Sequence, residues 1–314
     1  MARKRKGVPR HGWLVLDKPG TMTSTQAMAK VRWLLKGEKA GHGGTLDPIA
    51  TGVLPIAFGE ATKTVQYAMD GHKTYRFVMK FGEATDTDDR AGRVIATAPG
   101  RPTDEQIEAV LPRFTGMVSQ IPPQYSAIKV DGERAYDLAR EGEAVELAAR
   151  IVRVDSFLLT GRPDEDHAEF EVECGKGTYM RSLARDLAVA LGTLGHITVL
   201  RRLSVGRFNL ENAVTLEELE QIIAEGARDP DDLLLPIETA LDQIPAVDLT
   251  GEEAQRLRHG QGVLLLRRGD LARLEELRQD ERDAGTALAT ERGRPVALVR
   301  LDGAELKPVR VLHV

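Results

Sequence analysis

Residues 41–52 read Gly41-His42-Gly43-Gly44-Thr45-Leu46-Asp47-Pro48-Ile49-Ala50-Thr51-Gly52, so four glycines bracket one carboxylate. Glycine admits backbone angles that other residues avoid and lets a ligand come close to the main chain. A histidine, a threonine and an aspartate therefore sit on a tightly folded loop that a substrate could touch. Taken alone, the stretch also fits an ordinary turn closed by Asp-Pro. A second dense segment is Cys174-Gly175-Lys176-Gly177-Thr178-Tyr179-Met180-Arg181. It reads as a strand end, a glycine turn and a helix start. Tyr179 and Arg181 then sit near a helix N-terminus, where free backbone N–H groups favour phosphate. Taken alone, Tyr179 also fits a core-edge tyrosine and Arg181 a surface charge.

Several chemistries lack their motifs. Gly59-Glu60-Ala61-Thr62-Lys63-Thr64 superficially resembles a phosphate-binding loop but has no glycine directly before the lysine. There is no GxGxxG, no CxxC and no HExxH. The acidic run Asp86-Thr87-Asp88-Asp89 has Thr97 where a calcium loop requires glutamate, and it reads as a solvated hairpin turn. No cofactor and no tightly bound metal are therefore expected. Glycoside hydrolysis with retention needs two carboxylates, and the dense loops offer one.

The elements that must position these residues follow from periodicity. Trp13–Leu16 and residues 53–58 are apolar strand candidates. Residues 24–36 have helical spacing through Ala27, Val31, Leu34 and Leu35, with Ser24 as cap and Gly37 as stop. Across residues 73–82, Tyr75, Phe77, Met79 and Phe81 alternate with Thr74, Arg76 and Lys80, which predicts a half-buried strand, with a returning strand at 92–97. Thr103 with Gln106 and Thr215 with Glu218 are capping boxes. Strands are expected at 151–159, 167–174 and 196–208, and a helix at 178–191. Residues 120–150 look like an excursion with a charged helical piece near 133–141. Residues 227–246, with three prolines, read as a linker before a small β-rich module. Strands interrupted by helices in this order indicate an α+β fold.

The chain has 314 residues, one cysteine (Cys174) and no apolar run approaching a membrane span, and no apolar segment follows Arg3–Lys6 as a signal peptide would require. A cytoplasmic location is the expectation. The net charge of −5 hides strong segregation. Residues 1–40 hold ten Lys/Arg against two acids, 176–207 hold six against one, and 211–250 hold one against eleven. Clustered cations supply the counterion-release term of nucleic-acid binding.

Together these segments resemble the TruB family of tRNA pseudouridine synthases. The resemblance runs in order through Asp17-Lys18-Pro19, Gly41–Gly52, Lys73–Arg76, Thr85–Asp88, Pro122–Lys129, Lys176–Arg181 and Leu200-Arg201-Arg202. It covers roughly residues 12–245, and the tail resembles a degenerate PUA domain, a small RNA-binding β-barrel. Residues 267–285 are more charged than such a barrel usually is.

The resemblance implies a pseudouridine synthase fold, a mixed and mainly antiparallel sheet with flanking helices. It implies a flexible basic arm at 1–10, a catalytic domain at 11–245 with an RNA-contacting thumb at 120–150, and a PUA-like domain at 246–314. Asp47 matches the catalytic aspartate. Tyr75 matches the tyrosine that stacks on the target base, Arg181 the arginine paired with the aspartate, and Tyr179 a second active-site tyrosine. Leu200 matches the pocket floor, and His42 a histidine that fills space left by flipped nucleotides. Lys18, Lys63, Lys129, Lys176, Arg201 and Arg202 are expected at the RNA interface, with Lys18 and Pro19 also bracing the loop. Gly43 stands where a threonine is common. The implied reaction converts the uridine at position 55 in the tRNA T-loop to pseudouridine, with no obligate protein partner. Whether Asp47 attacks the base, attacks the sugar or assists loss of a sugar proton stays open. A non-catalytic RNA chaperone using the same surface is the alternative.

Overall fold

The computed structural model describes residues 7–126, 129–130, 133–134, 147–226, 228–265 and 286–313. Its centre is a ten-stranded mixed sheet. Along the sheet the strands run Ala213–Val214, Gly12–Lys18, Thr51–Phe58, Gly195–Val205, Lys73–Phe81, His167–Cys174, Arg150–Gly161 and Gly116–Gln120. Ala40–His42 and Phe208–Asn209 pair off this path. All pairings are antiparallel except those of Gly12–Lys18 with Ala213–Val214 and of Thr51–Phe58 with Gly195–Val205.

Alternation makes the core. Tyr75, Phe77, Met79 and Phe81 all point inward, as their spacing predicts, and meet Phe170, Val172 and Leu200 from the neighbouring strands. The helix Met180–Ala190 lays Leu183, Ala184 and Leu187 onto the same core. The helix Ser24–Leu34 adds Ala27 and Val31.

The seam between Thr51–Phe58 and Gly195–Val205 is paired through Arg201 with Thr51 and Arg202 with Gly52, directly after the loop 43–50. Gly52 has a φ of +101°, and a Cβ on it would lie 2.1 Å from the Arg202 carbonyl, so only glycine permits this close crossing.

A second sheet of five strands holds Ala246–Asp248, Thr286–Glu291, Arg294–Asp302, Glu305–Val311 and Val263–Leu264. The helix Gly251–Arg258 packs on it through Ala254 and Leu257. Leu288, Leu298 and Leu312 of this region join one apolar cluster with Trp13, Phe208 and Ile237 of the central region.

Four expectations are corrected. The helix cap is Thr23, not Ser24, because Thr23 forms the capping box with Gln26 and leaves Ser24 to point inward. The strand Val94–Thr97 pairs with Glu83–Thr85 in a separate hairpin rather than returning along Lys73–Phe81. The supposed linker is packed structure: Leu235 exchanges backbone hydrogen bonds with Trp13, and Ile237, Ala240 and Leu241 are buried. Its prolines shape 3-10 turns instead of a tether. The acidic turn 86–89 is also not simply solvated, as its contacts below show. The helical piece expected near 133–141 lies largely outside the described residues, whose backbone pairs Lys129–Val130 with Glu133–Arg134. The charged stretch 267–285 lies outside them too.

Candidate active site

Asp47 stands on the loop 43–50, which has little regular pairing of its own. Backbone bonds run from Gly43 N–H to the Pro55 carbonyl and from Ala50 N–H to the Asp47 carbonyl. The remaining fixation comes from buried side chains. The Ser24 hydroxyl accepts from Leu46 N–H at 2.8 Å and donates to the Leu46 carbonyl at 3.1 Å. Arg202, 1 % exposed, donates to the carbonyls of Val53 at 2.8 Å and Gly44 at 3.0 Å. Lys18 is fully buried and donates to the carbonyls of Pro19, Met22 and Pro48. Burial draws its pKa from 10.5 down to about 8, although the nearby Asp47 charge opposes this.

Arg181 meets Asp47 from the other side of the site. It is the second residue of the helix Met180–Ala190, and its side chain is buried. Nη2 donates to Asp47 Oδ1 at 3.0 Å, and Nε lies 2.9 Å from Oδ2. The Nε contact is an ion pair bent too far to be a hydrogen bond, so that N–H is left unsatisfied. Nη1 and Nη2 also donate to the carbonyls of Thr87 and Tyr125. Asp89 Oδ2 stands 3.8 Å from Nε.

A cation in the first turn of a helix opposes the helix dipole. Two carboxylates and two carbonyls offset that here. The Asp47 side chain is 32 % exposed while Arg181 is 5 % exposed, so an incoming group meets the carboxylate first and the guanidinium stands behind it.

The acidic turn is thus part of this site. Thr87 Oγ1 and Ala91 N–H donate to Asp89 Oδ1, and Thr85 Oγ1 donates to the Asp89 carbonyl. Ile197 N–H donates to the Asp88 carbonyl, which docks the turn on a strand edge. Asp88 pairs with Arg185 at 3.0 Å, and burial still pushes its carboxyl up. Sequence reasoning missed Asp89, Ser24 and Gln120. An acidic turn near a hairpin gives no signal of what it will face. Ser24 and Gln120 act through contacts 22 and 59 residues away.

The sheet register brings further residues in. Tyr75 lies opposite Arg202, and Phe77 opposite Leu200. Tyr75 and Leu200 are 8 % and 5 % exposed. Burial raises the Tyr75 phenol, and Arg202 beside it opposes that. Tyr179 is half-buried just ahead of Arg181, and burial raises its phenol as well. His42 ends the strand Ala40–His42, next to the loop. Burial first, then the Arg202 charge, hold its pKa below the ordinary value, which favours the neutral imidazole at pH 7. Its buried Nδ1 has no partner. Gly43 is confined: a Cβ there would stand 3.2 Å from that of Ala68 and 3.4 Å from that of Pro55.

The cations expected at an RNA interface divide. Lys18, which the resemblance also made a brace of the loop, and Arg202 are both enclosed, so neither exposes a surface on which RNA could rest, and their expected RNA contacts are corrected to internal bracing. Arg201 is committed to Asp17 through two bonds of 3.0 and 2.6 Å. Lys63 donates to Glu60 at 2.6 Å and to the Val311 carbonyl at 2.7 Å, which ties it to the second sheet. Lys176 is 71 % exposed and pairs with Asp70. The side chain of Lys129 lies outside the described residues. Among the described residues no three His, Cys, Asp or Glu side chains are grouped to hold a metal ion.

The fold has counterparts among solved structures. The chain superposes with a TM-score of 0.72 on a chain of the archaeal box H/ACA sRNP Nop10-Cbf5 complex, covering 99 % of this chain and 92 % of that one at 23 % identity. It superposes at 0.73 on a chain of a Cbf5-Nop10-Gar1 complex, covering 99 % and 91 % at 24 % identity. At such identity the likeness defines the fold alone. With the family matches that follow, it is the fold of a pseudouridine synthase, and the second sheet fits a PUA-like domain. Residues 32–180 match the family model for the TruB family pseudouridylate synthase N-terminal domain, and residues 181–242 that for the tRNA pseudouridylate synthase B C-terminal domain. The tRNA pseudouridine synthase B of Bradyrhizobium diazoefficiens is 53 % identical, over 99 % of this chain and 88 % of its own. The protein of that name from Caulobacter sp. strain K31 is 51 % identical over 100 % of both chains. The chain belongs to the TruB family of pseudouridine synthases.

Proposed function

We propose that this chain isomerises uridine to pseudouridine in tRNA, at position 55 of the T-loop, with Asp47 as the catalytic carboxylate and no cofactor. The observation that carries the chemistry is the geometry around Asp47: a partly open carboxylate backed by the buried guanidinium of Arg181. The reaction breaks the bond from ribose to N1 of uracil, turns the base and rejoins it through C5. It moves no net electrons and consumes no high-energy bond. It needs a fixed carboxylate next to a base lifted from its stack.

Unstacking a base costs a few kcal/mol, and stacking on an aromatic ring returns about 1–3 kcal/mol. Tyr75 and Tyr179 are the aromatics at hand, with Leu200 as the apolar floor. A neutral His42 can sit against a base without a desolvated charge. Lys176 and the cations of the N-terminal segment supply attraction for phosphate. We assign catalysis to residues 11–245, with 120–150 as the thumb, and added RNA affinity to 246–314. Among the described residues no helix is long and apolar enough to cross a membrane. A tRNA substrate carries a cytoplasmic location with it.

Tritium release from tRNA labelled at C5 of uridine tests the proposal, with wild type and Asp47→Asn side by side. Pseudouridine formation must expel that hydrogen. About one equivalent per tRNA from wild type alone is the expected result. Tight tRNA binding without release by either protein would favour the chaperone alternative, under which the buried Arg181–Asp47 pair has no assigned use.

A further inference from the structure

We infer that Ser24 and Gln120 are positioning residues that set the alignment of Asp47 against Arg181. This rests on the assignment of Asp47 and Arg181 to the reaction. The two residues repeat one device on opposite sides of the ion pair. Ser24 Oγ takes both backbone polar groups of Leu46, the residue directly before Asp47. The Gln120 amide takes both backbone polar groups of Tyr179, two residues before Arg181: Tyr179 N–H donates to Oε1 at 2.9 Å, and Nε2 donates to the Tyr179 carbonyl at 3.1 Å. Ser24 and Gln120 are each 2 % exposed. Neither Leu46 nor Tyr179 lies in a strand or helix: Ser24 does for Leu46 what a neighbouring strand would otherwise do, and Gln120 holds the Tyr179 N–H and adds a second bond to its carbonyl, which also accepts from Leu183 N–H at the start of the helix.

The side-chain types follow from this task. A hydroxyl and a carboxamide each both donate and accept, which a carboxylate or an ammonium cannot do. Ser24 is free for the task because Thr23 and Gln26 already cap its helix. Gln120 is in turn tied to the Arg181 helix through its neighbour, since Ser182 Oγ and Arg185 Nη2 both donate to the Ile121 carbonyl. Leu46 is itself buried, so without Ser24 its N–H and carbonyl would be left unsatisfied and the loop would shift to find partners. The shift would pass directly to Asp47. A displacement of about 1 Å at a reacting group can cost on the order of a hundredfold in rate.

The test separates alignment from stability. Ser24→Ala and Gln120→Leu are compared with Thr23→Ala, which weakens the same helix through its cap but touches no part of the loop. The readouts are the saturated single-turnover rate on C5-tritiated tRNA, the Kd for that tRNA, and the folded fraction at the assay temperature. The expected result is a fall of about 30- to 100-fold in saturated rate for Ser24→Ala and Gln120→Leu. Kd should stay within about threefold. Thr23→Ala should keep the wild-type rate, and Ser24→Thr, which retains the hydroxyl, should recover most of the loss. An unchanged saturated rate in Ser24→Ala would overturn the inference. So would a rate loss in either variant that merely follows its folded fraction. Both outcomes presuppose an active wild type; an inactive wild type would refute the proposed reaction instead.

Discussion

Residues 43–50 and the strands Thr286–Glu291, Arg294–Asp302 and Glu305–Val311 are held by opposite means. The loop depends on polar side chains that arrive from distant elements: Ser24 on Leu46, Lys18 on Pro48 and Arg202 on Gly44. The strands depend on continuous backbone ladders and on buried Ala287, Ala289, Ala297 and Val299. A ladder spreads its stability over many weak bonds, so one substitution seldom displaces it. A loop fixed by a few directional bonds has a sharply defined geometry, and each bond is a point at which that geometry fails. The difference places rigidity without regular structure at the carboxylate proposed to react, and an ordinary packed sheet where a broad surface suffices.

Substitutions should separate the two regions, and the largest effect belongs to the loop. Asp47→Asn keeps the shape but removes the charge. It should lower the single-turnover rate by about 10³-fold or more while tRNA affinity stays within a few-fold. Arg181→Lys comes next. A lysine cannot reach Asp47, Thr87 and Tyr125 with one planar fork, and a loss of about 10²-fold in the same assay is expected. A Kd change as large as the rate change would contradict both.

The junction between the regions should respond through stability. Leu312 is buried with Trp13, Phe208 and Ile237. Leu312→Ala should cost about 2–4 kcal/mol in denaturant unfolding and leave the saturated rate intact. The same cluster sharpens the expectation for removal of residues 247–314. That truncation should weaken tRNA affinity more than saturated chemistry, but it also uncovers the Trp13 face, so the protein should melt at lower temperature. Lys63→Met removes only the link to Val311 and Glu60 and should cost about 1 kcal/mol. A loss of tRNA affinity in that variant without a stability change would return Lys63 to the RNA interface.

A further effect is on pH dependence. Lys18 has a pKa of about 8 when folded and 10.5 ordinarily. Between those values the unfolded chain binds more protons than the folded one, so this residue makes stability rise with pH across that window. Lys18→Met abolishes the contribution. The stability of wild type relative to Lys18→Met should therefore increase from about pH 8 to about pH 10.5. A flat difference would mean that the buried ammonium is not strained.

Local pattern determined much of this protein. The strict alternation of Tyr75, Phe77, Met79 and Phe81 yields the central strand, because a half-buried strand admits only that period. Thr103 with Gln106 and Thr215 with Glu218 start their helices as written, because a capping box is complete within four residues. The Gly-rich stretch around Asp47 and the arginine at a helix start fitted a turn and a surface charge when taken alone, and only the ordered set of segments singled them out. What a charged or polar side chain would face was not legible. Arg202 was expected at the RNA interface, yet it braces the loop from inside, beside Lys18, for which the resemblance had implied a bracing role as well as an RNA contact. The acidic turn 86–89 read as solvated, yet Asp89 and the Thr87 carbonyl face Arg181. Residues 227–246 read as a linker, yet Leu235 pairs with Trp13. Hydrophobic period and capping are properties of neighbours along the chain. The partner of a buried charge or hydroxyl is set by three-dimensional packing, which joins Ser24 to Leu46, Gln120 to Tyr179 and Asp47 to Arg181 across 22, 59 and 134 residues of sequence.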